Sequence, residues 1–123
     1  MMFRVSKRIE VAGAHWLDLP YDSACKNMHG HNWIIVVTVQ AEELDCTGMV
    51  IDFKSLKEIV HKLDHQCIND VVGAEEIINP TAENIAKWIA EEVDNHLSFS
   101  NSSARVEQVE VQESEGNKAW YIP

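Results

Sequence analysis

The sequence predicts an α+β domain in which two helices cover one face of a largely antiparallel sheet. Three observations carry that prediction. Apolar residues alternate or run unbroken over four strand-like stretches. They recur at helical spacing over two others, and the elements follow in the order β-β-α-α-β-β, grouped rather than strictly alternating. With 123 residues, 46% of them hydrophobic and 24% charged, the chain suits one domain spanning residues 1–123.

Residues 2–14 read as the first strand. Phe3, Val5, Ile9 and Val11 fall on one face, and Arg4, Ser6, Arg8 and Glu10 on the other. Residues 16–28 hold Pro20, Asp22, Ser23 and Asn27 and read as a long loop. From His31 to Gln40 the chain is apolar at nearly every position and rich in β-branched residues, which predicts a strand covered on both faces. A turn at 46–52 places Asp52 as the cap of a helix beginning at Phe53, with Phe53, Leu56, Ile59, Val60 and Leu63 repeating at helical spacing on its stripe. Asn79-Pro80-Thr81 starts a second helix with Pro80 near the first helical position, and Ile85, Trp88, Ile89, Val93 and Leu97 form its stripe. A polar tract at 98–104 then leads to two closing strands, 105–113 and 118–122, around Glu115-Gly116-Asn117. Four strands in one short chain leave two unpaired sheet edges, so pairing of edges between subunits is expected.

Composition excludes several function classes. Ten Lys+Arg against 20 Asp+Glu give a net charge of −10, which a nucleic-acid backbone would repel. No apolar run approaches the roughly 20 residues of a bilayer span, and the polar start MMFRVSKRIE lacks a signal peptide's apolar segment. Cys25, Cys46 and Cys67 are odd in number and lack CxxC spacing, as expected of a reduced, cytoplasmic protein.

Six histidines raise the question of a metal. His29 and His31 form an HxH pair entering the second strand, and residues i and i+2 of a strand face the same way. His15 ends the first strand on the face of Val11 and Gly13. Antiparallel pairing of the two strands would bring it beside the HxH pair. Three neutral imidazoles suit Zn²⁺ and leave a fourth position open, the pattern of catalytic zinc. Gly13 and Gly30 would let the backbone approach closely there. A cupin-like site is disfavoured, because Asn32 through Gln40 contains no carboxylate.

His61 and His65 stand at i and i+4, but Lys62 occupies the position where a zincin needs Glu, so protease chemistry is rejected and His61 is assigned to the surface. His65, preceded by Asp64, is a candidate charge-oriented acid/base pair. Cys25, four residues before His29 and beside Lys26, is open to three readings: a fourth ligand, a buried bystander, or an acid/base thiolate. Glu113, ending the apolar stripe of Val109 and Val111, either caps the sheet edge in water or receives paired N–H donors.

Taken together, AGAH at 12–15, C-x3-HGHNW at 25–33, GMVIDF at 48–53, LDH at 63–65, NPTAEN at 79–84 and VQES at 111–114 resemble the 6-pyruvoyltetrahydropterin synthase / 6-carboxytetrahydropterin synthase family, in order and over residues 3–122. The resemblance implies the tunnelling (T) fold, whose β-β-α-α-β-β subunits join edge to edge into oligomeric barrels, here a tetramer or hexamer. It implies that His15, His29 and His31 bind zinc, that Cys25 is the catalytic cysteine, and that Asp64 with His65 forms the acid/base relay. It further implies that Glu113 anchors the pterin ring and that Thr81 touches it. A pterin's 2-amino and N3–H groups offer two donors that one carboxylate accepts as a fork. Gly13 stands where many relatives carry Ala or Ser, a departure expected to be harmless.

The three-residue gap between Cys25 and His29 resembles the bacterial 6-carboxytetrahydropterin synthases of queuosine biosynthesis. The expected activity is therefore a zinc-dependent lyase acting on 7,8-dihydroneopterin triphosphate. The alternatives are the pyruvoyl-forming synthase, a non-catalytic pterin- or zinc-binding subunit, and a zinc hydrolase. The substrate is a polyanion, so cations among Lys7, Arg8, Lys26 and Lys54 are expected to offset the chain's negative charge.

Overall fold

A computed structural model describes residues 1–75, 78–100 and 102–123. Two long strands, β1 (Phe3–His15) and β2 (His29–Ala41), pair antiparallel along their whole length, from Phe3 against Ala41 to His15 against His29. Three helices follow: α1 (Phe53–Val60), α2 (Asn69–Val72) and α3 (Ala82–Phe99). Between α1 and α2 lies β3 (Gln66–Cys67), and β4 (Arg105–Ser114) and β5 (Asn117–Tyr121) close the chain. The five strands form one sheet in the order β3-β1-β2-β4-β5. All neighbours are antiparallel except β3, which runs parallel to β1 through Gly13 and Ala14.

The core lies between the sheet's inner face and the helices. Ile9 and Val11 of β1, Trp33, Ile35, Val37 and Val39 of β2, and Val106, Val109 and Val111 of β4 meet Leu56, Ile59 and Val60 of α1. Ile85, Ile89, Val93 and Leu97 of α3 complete it. Asp52 caps α1, its carboxylate accepting from the Lys54 N–H at 2.9 Å. Thr81, and not a residue before it, caps α3 by accepting from the Asn84 N–H. Pro80 therefore precedes the cap instead of opening the helix, and its carbonyl is free for another partner.

Three features differ from expectation. Phe53, the first residue of the expected α1 stripe, is exposed. The predicted order omits β3 and α2, because a two-residue strand and a one-turn helix are too short to show a period. β2 is covered on one face only: Ile34 and Val36 are half-buried on the face that carries no helix. Its continuous apolar run thus marks a helix-free face that is still apolar at its centre. The turn at Gly116 has φ +82°, a left-handed conformation that favours glycine. Of the polar tract 98–104, Asn101 lies outside the described residues.

Candidate metal centre

The register of β1 and β2 builds the site. His15 is opposite His29 and Gly13 opposite His31, so three odd-numbered positions put their imidazoles on the inner face at the same end of the sheet. Ring centroids of His15 and His29 are 4.6 Å apart, those of His29 and His31 4.9 Å, and those of His15 and His31 5.4 Å. Trp33 forms the floor. Its indole meets the rings of His15 and His31 edge-on and donates from Nε1 to the Gly13 carbonyl at 3.0 Å.

Backbone carbonyls fix two of the rings. His15 Nδ1 lies 2.8 Å from the Pro80 carbonyl oxygen, and His29 Nδ1 lies 2.7 Å from that of Asn27. Each carbonyl can only accept, so each Nδ1 carries the proton and leaves Nε2 as a lone pair. This is how metal-ligating histidines are held in one tautomer. Nε2 of both His15 and His31 is buried without a hydrogen-bond partner, which marks a position where a cation would satisfy them. Burial holds the pKa of His15 below the ordinary histidine value, against the opposing pull of its bond to Pro80, so the ring stays neutral. The donor set suits a divalent ion of zinc's type.

On the side that the sequence leaves open, the cluster faces Glu113. Its Oε1 lies 3.2 Å from His15 Nε2 and 3.3 Å from His31 Nε2. The donor atoms of His15, His29, His31 and Glu113 all fall within 4.8 Å of one another. Glu113 is brought here by β4, whose Val111 pairs with Ile35 and so carries position 113 toward Trp33 on the inner face. The same carboxylate lines a cleft of about 490 Å³ with Ala82, Glu83, Gly116, Asn117 and Trp120. Thr81 lies next to that cleft in sequence, with its hydroxyl engaged as the α3 cap.

Cys25 is half-buried in a single 3₁₀ turn, Ala24–Lys26, which Ser23 caps by accepting from the Cys25 N–H at 3.1 Å. Its thiol is outside the four-residue cluster, which removes the fourth-ligand reading. The loop bearing it is tied down by the Leu17 N–H, which donates to the Cys25 carbonyl at 2.9 Å. Two asparagines extend this zipper. Asn69 bonds both the N–H and the carbonyl of Trp16, and Asn79 does the same for Asp18.

Asp64 and His65 are brought together, outside the four converging donors. Asp64 Oδ2 lies 3.0 Å from His65 Nδ1, while its Oδ1 accepts from the Ala12 N–H at 2.9 Å. The Ala12 bond, with the contact to His65, holds the Asp64 carboxyl below the ordinary range, so it is ionised at neutral pH. His65 has φ +58°, a left-handed conformation rare for a residue with a side chain, and its N–H is held by the Ala12 carbonyl. Its ring is 81% exposed and opens on a cleft that His31 of the cluster also lines, with Ala12, Gly30, Asn32 and Cys67. His61 is exposed, as expected.

The two glycines differ. A Cβ on Gly13 would stand 2.9 Å from Ile68 Cδ1 and 3.2 Å from the Leu63 carbonyl oxygen, so a side chain here would force its neighbours to shift. A Cβ on Gly30 would meet nothing nearer than 3.9 Å. The sequence singled out neither Trp33 nor Pro80 as site-builders. Trp33 was visible as the end of HGHNW; a backbone carbonyl has no sequence signal at all.

Among the cations considered for the substrate, Lys7 lies over the Phe53 ring and Lys54 faces Glu58 at 3.9 Å. No described helix is long and apolar enough to cross a membrane.

Comparison with known proteins agrees with the geometry. The family model described as 6-pyruvoyl tetrahydropterin synthase matches residues 4–123. The 6-carboxy-5,6,7,8-tetrahydropterin synthase of Bacillus subtilis is 30% identical over 125 residues, covering 98% of this chain and 86% of its own length. The protein of the same name from Haemophilus influenzae is 31% identical, covering 85% and 92%. The structure of Caenorhabditis elegans 6-pyruvoyl tetrahydropterin synthase superposes with a TM-score of 0.75 at 24% identity, over 100% of this chain and 96% of the other. The backbone thus has the tunnelling fold of that structure.

Proposed function

Since the chain belongs to the 6-pyruvoyl tetrahydropterin synthase family, and is a lyase of the kind its curated relatives are named for, we propose that it converts 7,8-dihydroneopterin triphosphate to 6-carboxy-5,6,7,8-tetrahydropterin, acetaldehyde and triphosphate. One water is taken up overall, and the reaction serves 7-deazapurine (queuosine) biosynthesis. The observation that carries this reading is the convergence of His15, His29 and His31 with two unpartnered, buried Nε2 atoms. The short Cys25–His29 spacing and the names of the curated relatives favour the carboxy product over the pyruvoyl one.

His15, His29 and His31 would hold the ion, zinc in this reading. When bound, it would supply Lewis acidity toward the hydroxyls of the substrate side chain. Cys25, held on its capped turn, takes a proton from that side chain as thiolate. Asp64 keeps the proton of His65 on Nδ1 and leaves Nε2 to exchange protons with the substrate. Glu113 accepts the pterin's two-donor edge, with Thr81 beside it. Arg8 and Lys26 are both exposed and are the candidates for the triphosphate. A homo-oligomer joined through its free sheet edges is the assembly in this reading.

Product identification tests the reading. Zinc-loaded protein incubated with 7,8-dihydroneopterin triphosphate should release acetaldehyde in step with triphosphate. Triphosphate without acetaldehyde, accompanied by a 6-pyruvoyl product, would assign the other reaction. Release of neither would leave a binding protein.

A further inference from the structure

Glu113 stands in two places at once: among the metal-binding nitrogens and along the cleft next to α3. Its Oε1 faces His15 Nε2 at 3.2 Å and His31 Nε2 at 3.3 Å. His15 spends its ring proton on the Pro80 carbonyl, so the atom facing the carboxylate is a lone pair. A carboxylate oxygen held against a nitrogen lone pair is repelled unless a proton or a metal ion lies between them. The spacing fits one. Donor atoms about 2.0–2.1 Å from a tetrahedral ion stand about 3.3 Å from each other. Both observed separations match that edge.

We propose that Glu113 is the fourth protein ligand of the metal in the substrate-free protein, and that it accepts the pterin's N–H edge only after leaving the ion. The site would then be closed at rest, as structural zinc sites are, and opened by substrate. The carboxylate has somewhere to go. Its side chain is 31% exposed, and it lines the cleft between the start of α3 and the β4–β5 turn. A single residue would thereby couple recognition of the ring to exposure of the reactive corner. Water and hydroxylated molecules lacking a ring that competes for the carboxylate would find the ion already saturated. This deepens the function proposed above and rests on its metal site, but not on the identity of the product.

The test uses the metal alone. Zinc-free wild type, Glu113→Ala and Glu113→Gln are titrated with Zn²⁺ against a chromophoric chelator, and the Co²⁺-loaded proteins are compared by visible absorption. Circular dichroism of the zinc-free proteins monitors folding, and Glu113→Gln preserves side-chain volume if Glu113→Ala does not fold. The expected result is at least a ~10-fold loss of Zn²⁺ affinity. It is accompanied by an altered Co²⁺ spectrum as water replaces the carboxylate. A Co²⁺ spectrum identical to wild type in the folded variant overturns the proposal, whatever the affinity. That failure would leave the acetaldehyde assay untouched, and a failed acetaldehyde assay would leave the spectra untouched.

Discussion

His15 Nδ1 donates to the carbonyl oxygen of Pro80 across 2.8 Å, joining the end of β1 to the residue before the α3 cap over 65 positions of sequence. This bond orients the most buried imidazole of the cluster and ties the metal site to the packing of α3. Metal binding and folding are consequently linked. Zinc at about a hundredfold excess over its Kd should stabilise the zinc-free protein by about 2.7 kcal/mol. His15→Ala should lose that gain, as read by denaturant melts with and without zinc. Equal stabilisation of the variant would remove His15 from the ligand set.

Cys25 lies outside the ligand cluster, so its role and the metal's are separable. Cys25→Ala is expected to bind zinc with unchanged stoichiometry while turnover falls by roughly 10²–10⁴-fold, the usual contribution of a positioned proton-transfer group. Zinc content by elemental analysis, alongside the rate of acetaldehyde release, measures both. Wild-type turnover in the variant would eliminate the thiol from the mechanism.

Asp64 has a folded pKa below its ordinary value because the Ala12 N–H and His65 favour its charged form. A carboxylate depressed in this way adds stability above its unfolded pKa of about 3.9, and loses it as the pH falls through the lower folded value. Asp64→Asn retains an acceptor for Ala12 and imitates the protonated acid. Wild type should therefore melt higher than the variant at pH 7, and the two curves should converge as the pH falls through that lowered value. A gap independent of pH would mean that charge is irrelevant at this position.

Gly13 admits no Cβ without displacing Ile68 or the Leu63 carbonyl. Gly13→Ala should cost about 1–3 kcal/mol, the range for overpacking a filled core. Adding Ile68→Val removes the nearest methyl. It should recover at least about 0.5 kcal/mol beyond additivity, by a double-mutant cycle in denaturant. Strict additivity would show that the backbone, and not Ile68, bears the strain.

Periodicity and capping were legible in the sequence wherever an element is long. The alternation of Phe3, Val5, Ile9 and Val11, the Asp52 cap and the stripe from Ile85 to Leu97 correspond to β1, α1 and α3. The same logic placed His29 and His31 on one face and His15 opposite. β3 and α2 were not legible, because each is held by tertiary contacts, the Ile68 N–H to Ala14 and the Asn69 side chain to Trp16.

Local pattern alone determined the two-layer architecture and the three imidazoles, since side-chain direction within a strand follows from its period of two. Only the tertiary structure decided what surrounds those rings. The Pro80 carbonyl, the Trp33 floor and the Glu113 carboxylate arrive from separate elements whose relative register no local pattern records. That register arises when α3 and β4 pack onto the sheet, and with it comes the fourth donor at a corner the sequence leaves open.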